Sequence, residues 1–208
     1  MKKLLLGILN FRKKRLETYR KEYSDIALGQ KPDALMVACC DSRVVPNVFA
    51  STNPGDLFVV RNIGNIVPPH DASEDNSVIA ALDFSVLALN VKDIIVCGHS
   101  ECGAMQAILN DQKPTNAIAN WLRHGVESLK NLKSEKPNCD HNDLSKFNVK
   151  QQLKHLKTHP AVATRLAEGT LRLHGWWFEL ATGNVYELND AGEFELMDED
   201  YIMAVVGK

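Results

Sequence analysis

Two short motifs, each at the end of an apolar run, limit most strongly how this chain can fold. The first is C-C-D-S-R at residues 39–43, whose first residue ends the run 34–39, and the second is H-S-E-C at residues 99–102, after the run 93–97. Short, continuous aliphatic runs of this kind predict buried strands. Ligand sites in parallel α/β sheets gather at the carboxyl ends of the strands, so we expect the two motifs to meet in space.

Together the motifs offer two thiols and one imidazole, from Cys39, Cys102 and His99. This donor set suits a borderline-soft ion such as Zn²⁺. Three protein ligands leave one coordination position open, and on zinc that position normally holds a reactive water. Cys102 stands at the start of a predicted helix, where the helix dipole favours a thiolate. The sequence therefore predicts a zinc site that can do chemistry.

Asp41 and Arg43 are two residues apart, so on an extended segment their side chains share a side. A simple exposed ion pair would contribute only ~0–1 kcal/mol. Next to the ligand Cys39 we favour a functional interpretation, in which the planar guanidinium orients the carboxylate. The carboxylate would then accept a hydrogen bond from zinc-bound water or hydroxide.

The remaining cysteines and the overall charge narrow the class of protein. Five cysteines are an odd number, so a disulfide framework is not expected and a reducing cytoplasm fits better. We interpret Cys97 as a core residue and give Cys40 and Cys139 no role. The net charge of −2 gives no reason to expect nucleic acid or an anionic membrane as a partner. No run approaches the ~18 apolar residues of a spanning helix, so we expect a soluble, cytoplasmic protein.

Strands and helices alternate in the middle of the chain, which predicts an α/β fold. We expect a mostly parallel central sheet flanked by helices, with an N-terminal helix and C-terminal antiparallel strands, in a single domain over 1–208. The predicted strands are 34–39, 57–60, 93–97, 171–180, 184–189 and 193–197. The predicted helices are 3–28, 73–90 with Ser73 as its cap, 102–110, 116–133 and 145–168, the last interrupted at His159-Pro160. Residues 134–143 are predicted to form a loop.

The two motifs, with G-D-L-F-V-V-R-N-I-G-N between them at 55–65, closely resemble the β-class carbonic anhydrases. The similarity is strong over residues 25–110 and extends to G-W-W-F-E-L-A-T-G at 175–183. The resemblance implies one Zn²⁺ on Cys39, His99 and Cys102, with Asp41 and Arg43 as a catalytic dyad. It also implies the reversible hydration of carbon dioxide to bicarbonate and a proton, by attack of a zinc-bound hydroxide that the dyad orients.

The resemblance further implies which residues meet the substrate. Gln30 and Gly103 match substrate-binding positions, and Phe58, Ile63 and Phe84 match positions that line an apolar pocket from the neighbouring subunit. The family's unit is a homodimer that often assembles further, and the N-terminal helix 1–28 would pack across it.

Some positions depart from the family pattern. Phe84 stands where plant-like members often have tyrosine. Met36 and Phe178 stand where members with a regulatory bicarbonate pocket have tryptophan and tyrosine, and only Arg61 of that trio is kept. We therefore expect the open form of the site, although the sequence does not decide whether water or Asp41 is the fourth zinc ligand. His70 is a candidate proton carrier only through its position in a loop.

Two other functions are compatible with the motifs. One is an enzyme of the same fold that acts on carbon disulfide or carbonyl sulfide. The other is a structural or redox-sensing zinc protein, with Asp41 on the metal and Cys40 as the sensor. Gln30, Arg43 and the apolar pocket positions favour the hydration of carbon dioxide, because a structural zinc site needs none of them.

Overall fold

The structure is a computed structural model that describes residues 1–24, 26–72, 76–112 and 115–207. The six strands of this part of the chain form one sheet. They are β1 (Ala34–Cys39), β2 (Leu57–Asn62), β3 (Asp93–His99), β4 (Arg172–Phe178), β5 (Val185–Leu188) and β6 (Phe194–Leu196). Their order across the sheet is β2-β1-β3-β4-β5-β6.

Helices connect the strands and flank the sheet. They are α1 (Lys2–Lys14), α2 (Leu16–Ser24), α3 (Pro46–Phe49), α4 (Ser77–Asp83), α5 (Gly103–Leu109), α6 (Asn116–Glu135), α7 (His141–Leu156), α8 (Pro160–Ala167) and α9 (Glu199–Val206). A 3-10 turn covers His70–Ala72, and a π-helical turn over Phe84–Ala88 continues α4. In the described part of the chain, every helix is too short or too polar to cross a membrane.

The predicted fold class is confirmed. Strand β1 pairs in parallel with both β2 and β3, and β3 pairs in parallel with β4. Strands β5 and β6 then add to the edge in antiparallel order. Parallel strands that are covered on both faces have continuous apolar sequences, which explains the sequences of β1 and β3.

Alternate residues of the central strands enter two different parts of the core. On one face Leu35 and Val37 of β1 pack with Ile94 and Val96 of β3. On the other face Met36 packs with Ala38, Ile95 and Cys97, in a cluster that extends to Phe49 and Phe178. The sheet is therefore buried on both sides, and its carboxyl edge is a fixed platform for the residues that follow β1 and β3.

Helix α7 lies against β3 and β4. Glycines in the strands allow this close approach, because a methyl group on Gly175 would lie 2.9 Å from Val149 Cγ1 and 3.1 Å from Leu153 Cδ1. A side chain at Gly98 would come within 2.7 Å of Val149 Cγ2. The distance between α7 and the sheet therefore depends on the absence of a side chain at these two positions.

A charged cluster centred on His174 joins the last strands to α9. The Nδ1 atom of His174 lies 2.8 Å from Glu187 Oε1, and its Nε2 atom lies 2.9 Å from Asp93 Oδ1. Arg172 donates two hydrogen bonds to Asp93, and the Tyr201 hydroxyl donates to Glu187. The contact with Glu187, helped by Asp93, raises the pKa of His174 above its ordinary value despite partial burial. One imidazolium can thus link β3, β5 and, through Glu187, α9.

The N-terminal part of the helix prediction is wrong in detail. The helix predicted over 3–28 is broken at Arg15, whose φ of −125° leaves the helical region, and α2 ends at Ser24. The Phe11 ring packs edge-to-face on Tyr19 across the break, with centroids 5.0 Å apart.

Several other boundaries also differ from the prediction. Ser73, the predicted cap, lies outside the described residues, and the described helix α4 is capped by Asn76. The predicted loop 134–143 is shorter, because Asp140 forms a capping box with Asp143 and starts α7 at residue 141. Helices α3 and α9 were not predicted, since short surface helices leave little periodic signal.

We predict that Gly175→Ala lowers the free energy of unfolding by about 1–3 kcal/mol, because the added methyl group overlaps Val149, Leu153 and Leu188. Urea denaturation measures the change. Gly29→Ala is the matched control, since a methyl group there has no neighbour within 4 Å, and it should change the free energy by less than about 0.5 kcal/mol. Equal effects of the two variants would contradict the close packing of α7.

We predict that the stabilisation from His174 weakens as the pH rises. The pKa of His174 is raised in the folded state. The contacts of the imidazolium therefore give their full stabilisation below its ordinary pKa of about 6.5, and this stabilisation is lost as the pH rises through the raised pKa. The difference in Tm between the parent protein and His174→Gln should therefore narrow as the pH rises above about 6.5. A difference that stays constant or widens over this range would contradict the assignment.

Candidate metal centre

The parallel pairing of β1 and β3 brings the two motifs together. Cys39 ends β1, His99 ends the neighbouring strand β3, and Cys102 immediately precedes α5. All three side chains are buried, and their possible ligand atoms lie within 4.8 Å of one another. The two motifs, far apart in the sequence, thus converge at the carboxyl edge of the sheet.

The hydrogen bonding of the His99 ring fits the binding of a metal ion. Its Nδ1 atom lies 2.8 Å from the Ser100 carbonyl oxygen, which can only accept, so we assign the ring hydrogen to Nδ1. Its Nε2 atom is buried and has no hydrogen-bond partner among the described residues. A buried polar atom without a partner is costly. A cation beside the two sulfurs would engage this nitrogen, so these residues fit a metal.

The thiols of Cys39 and Cys102 have opposite pKa shifts. The contact with Cys102 lowers the pKa of Cys39 to about 4, and the neighbouring His99 ring and backbone N–H groups act in the same direction. One of these is the Gly64 N–H, which lies 3.4 Å from Cys39 Sγ. The contact with Cys39, together with burial, raises the pKa of Cys102. A divalent cation would take the place of the thiol hydrogen, because cysteine binds metals as thiolate.

Cys97 is not part of this group. Its side chain is fully buried in the sheet, and burial raises its pKa to about 12. This fits its predicted place in the core. Cys40 is exposed and Cys139 is partly buried, and all five cysteines are free thiols.

Arg43 fixes the carboxylate of Asp41. Oxygen Oδ1 accepts from the Arg43 backbone N–H at 3.0 Å and from Nε at 2.9 Å, and Oδ2 accepts from Nη2 at 2.7 Å. This guanidinium holds the pKa of Asp41 far below its usual range, so the side chain is a carboxylate at neutral pH. Asp41 is not a member of the group of donor atoms. The structure therefore has the carboxylate bound by Arg43 beside the donors.

Arg61 holds the backbone of the same segment. Its Nε donates to the Cys39 carbonyl at 3.0 Å, and its Nη2 donates to the Asp41 carbonyl at 2.6 Å. The resemblance groups Arg61 with Met36 and Phe178, at the positions that form a regulatory bicarbonate pocket in some members. Met36 is fully buried, and Phe178 stacks on Phe49 with 4.6 Å between the ring centroids. Arg61 thus supports the segment that carries the first motif.

A cavity of about 380 Å³ opens beside the donors. Its walls include Cys39, Cys40 and Asp41, together with Ile63 and Gly103. The remaining wall residues are Ala104, Ala107, Gln112, Ile118 and Leu122. Apolar walls with one carboxylate suit a small, weakly polar molecule.

The structure does not place all predicted substrate residues at this cavity. Ile63 lines the cavity of its own chain, whereas the resemblance implied the neighbouring subunit. Phe58 and Phe84 pack on each other, with centroids 5.9 Å apart, and neither is a wall residue. Gln30 is exposed beyond α2. His70 is exposed and its ring lies 5.6 Å from that of His159, away from the cavity walls.

Sequence reasoning missed several residues that support the site. The Gly64 N–H contacts Cys39 Sγ, and Ser145 and Asn142 of α7 bind the backbone of the second motif. Gly64 lies inside the family segment 55–65, which could have signalled it. Ser145 and Asn142 are far from the motif in sequence, and no local pattern marks them.

Comparisons with known proteins agree with this geometry. A family model described as carbonic anhydrase matches residues 34–185. A carbonic anhydrase of Pseudomonas aeruginosa is 38% identical over 219 residues, covering 100% of this chain and 97% of that protein. Carbonic anhydrase 1 of Escherichia coli O157:H7 is also 38% identical, over 92% of this chain and 89% of that protein.

Solved structures give the class within the family. The β-carbonic anhydrase CcaA aligns with a TM-score of 0.90 and 34% identity, covering 94% of this chain and 98% of that chain. A structure from a study of two tetrameric β-carbonic anhydrases of Sordaria macrospora aligns with a TM-score of 0.79 and 28% identity, covering 90% and 98%. The chain therefore belongs to the carbonic anhydrase family, and within it to the β class.

Proposed function

We propose that this chain catalyses the reversible hydration of carbon dioxide to bicarbonate and a proton, with Zn²⁺ held by Cys39, His99 and Cys102. The observation that carries the proposal is the partnerless Nε2 of buried His99, which lies with two thiols beside an ionised Asp41. Family membership supports the reaction, and the donor chemistry supports the metal.

Zinc bound by three protein ligands supplies a Lewis acid that lowers the pKa of water to about 7, so that hydroxide is available at neutral pH. The chain contributes the environment of that chemistry. Two thiolates and one imidazole fix the place of the reaction at one end of the cavity. Because Cys39 and His99 end neighbouring strands, the sheet holds these donors in place before substrate arrives.

Asp41 would orient the attacking oxygen. As a carboxylate it can accept a hydrogen bond but cannot donate one. Arg43 donates two hydrogen bonds to Oδ1 and one to Oδ2, so Oδ2 keeps acceptor capacity for a further hydrogen bond. The O–H of the attacking group would bind there, which directs its lone pair toward the cavity. Arg43 also keeps Asp41 from turning toward the donors, which supports the open form of the site.

The cavity would hold carbon dioxide and release bicarbonate. Ile63, Ala107, Ile118 and Leu122 present apolar surface, which suits a linear molecule without a net dipole. The Trp121 indole N–H donates to the Ile63 carbonyl at 2.7 Å and fixes the wall. At Gly103 the cavity wall is open, since a methyl group at this position would have no neighbouring atom of the described residues within 4 Å.

We further propose that the active unit is a homodimer or a larger homo-oligomer, formed by a single domain over 1–208. Helix α1 has no buried residue and exposes Leu5 and Ile8, so residues 1–28 are suited to pack across a partner. Gln30, Phe58 and Phe84 would reach substrate only in such an assembly. Free thiols throughout favour work in the reducing cytoplasm.

We predict that the zinc-loaded protein accelerates hydration of carbon dioxide in a stopped-flow assay with a pH indicator. Asp41→Asn should lower kcat/KM by at least about 100-fold at unchanged zinc content, because the amide cannot replace the carboxylate acceptor at both oxygens. Asp56→Asn is the matched control, since its carboxylate accepts from the Asn53 N–H in a distant turn. It should change the rate less than about twofold.

A rate equal to that of buffer alone, with one zinc bound per chain, would refute the proposed reaction. Hydrolysis of carbon disulfide or carbonyl sulfide by the same sample would then favour the related enzyme. Inactivity toward all three substrates would favour a structural or redox-sensing zinc protein.

A further inference from the structure

The turn between β3 and α5 has a backbone conformation that is unfavourable for its residue. Glu101, between His99 and Cys102, has a φ of 56°. L-residues other than Asn and Asp rarely adopt this left-handed region. Such a conformation persists only where the surrounding structure holds it. Cys102 follows Glu101 directly, so the conformation of Glu101 decides where the Cys102 thiol lies.

Asn142, in the first turn of α7, makes two hydrogen bonds that hold Glu101. Its Oδ1 accepts from the Glu101 backbone N–H at 2.8 Å, and its Nδ2 donates to Glu101 Oε1 at 3.1 Å. His141 Nε2 lies 3.0 Å from the same carboxylate oxygen. One amide side chain therefore fixes both the backbone and the side chain of Glu101.

The same helix holds the other end of the turn. Ser145 Oγ donates to the His99 carbonyl at 2.7 Å and accepts from Trp177 Nε1 at 3.2 Å. The capping box of Asp140 fixes the start of α7. Residues on successive turns of one helix thus bind the backbone at His99 and at Glu101, on both sides of the turn that carries two of the donors.

The turn is also linked to the first motif. Arg43 Nη2, which binds Asp41, lies 3.2 Å from the Glu101 carbonyl oxygen and donates to it. The Glu101 N–H, carbonyl and carboxylate each have a partner. Its contacts therefore connect α7 with the Asp41 carboxylate as well as with the donors.

We propose that Asn142 is a positioning residue for the metal centre. It holds Glu101 in the left-handed conformation and thereby sets the Cys102 thiol relative to the His99 imidazole. The inference rests on the proposed zinc site. Contacts of this kind around metal ligands typically change metal affinity by about 10–100-fold.

The test is zinc affinity, measured by competition with a chelator on Asn142→Ala. We expect the dissociation constant to rise at least about tenfold, and the absorption spectrum of the cobalt-substituted protein to change. Asn189→Ala is the matched control, because Asn189 makes the same two kinds of contact in the turn between β5 and β6. Its Oδ1 accepts from the Glu193 N–H at 2.9 Å, and its Nδ2 lies 3.4 Å from Glu195 Oε2. This control should alter neither readout.

Asn142→Ala measured in the Glu101→Gly variant separates a positioning role from a loss of general stability. Glycine adopts the left-handed region without a side-chain penalty, so Asn142→Ala should weaken zinc binding less in Glu101→Gly than in the parent protein. Asn142→Asp keeps the acceptor for the Glu101 N–H but replaces the donor with a second carboxylate beside Glu101 Oε1, so it should also weaken zinc binding. It also replaces Asn142→Ala if that variant does not fold.

The outcomes are distinct. An unchanged dissociation constant and cobalt spectrum in Asn142→Ala or Asn142→Asp would overturn the positioning role, while leaving the proposed function intact. An equal loss of zinc affinity from Asn142→Ala in Glu101→Gly and in the parent protein would also overturn it. A parent protein that binds no zinc would refute the metal centre itself, and this inference with it.

Discussion

The parallel pairing of β1 with β3 is the constraint on which the rest of this structure depends. It aligns Ala38 with Cys97, so that Cys39 and, one residue further along its own strand, His99 reach the carboxyl edge of the sheet on neighbouring strands. Both strands are buried on both faces, which makes a shift of register costly because it would exchange the residues of the two core faces. The donors are therefore positioned by the hydrophobic core, and the loops that follow the strands need only short contacts to complete the site.

The electrostatics of the site follow from this placement. Arg43 donates to the Asp41 carboxylate, and Arg61 donates to the backbone carbonyl oxygens of Cys39 and Asp41, so both arginines hold the segment after Cys39. Arg43 keeps Asp41 ionised by lowering the pKa of its carboxyl group, and both arginines hold the segment next to the donors. The buried His99 Nε2, which has no hydrogen-bond partner among the described residues, is costly, and a single divalent cation would engage it together with the two sulfurs. The feature that is costly without metal therefore suits the site to zinc.

Much of this could be predicted from the sequence, for identifiable reasons. Continuous apolar runs marked β1 and β3, and the rule that ligands gather at the carboxyl ends of strands placed the two motifs together. The break at Arg15 is accompanied by the packing of Phe11 on Tyr19 across it, which hydrophobic spacing does not report. The role of Asn142 depends on where α7 docks, a contact between segments 41 residues apart in the chain. Phe58 and Phe84 pack on each other and are not walls of the cavity, so their substrate role stays a prediction.

X-ray absorption at the zinc edge, on protein loaded with one equivalent of zinc, measures the ligand set of the metal. Binding by Cys39, His99 and Cys102 predicts two sulfur ligands at about 2.3 Å, one nitrogen at about 2.0–2.1 Å and one further light atom. Three or more sulfur ligands, or a shell without sulfur, would contradict the convergence of Cys39, His99 and Cys102 on one ion.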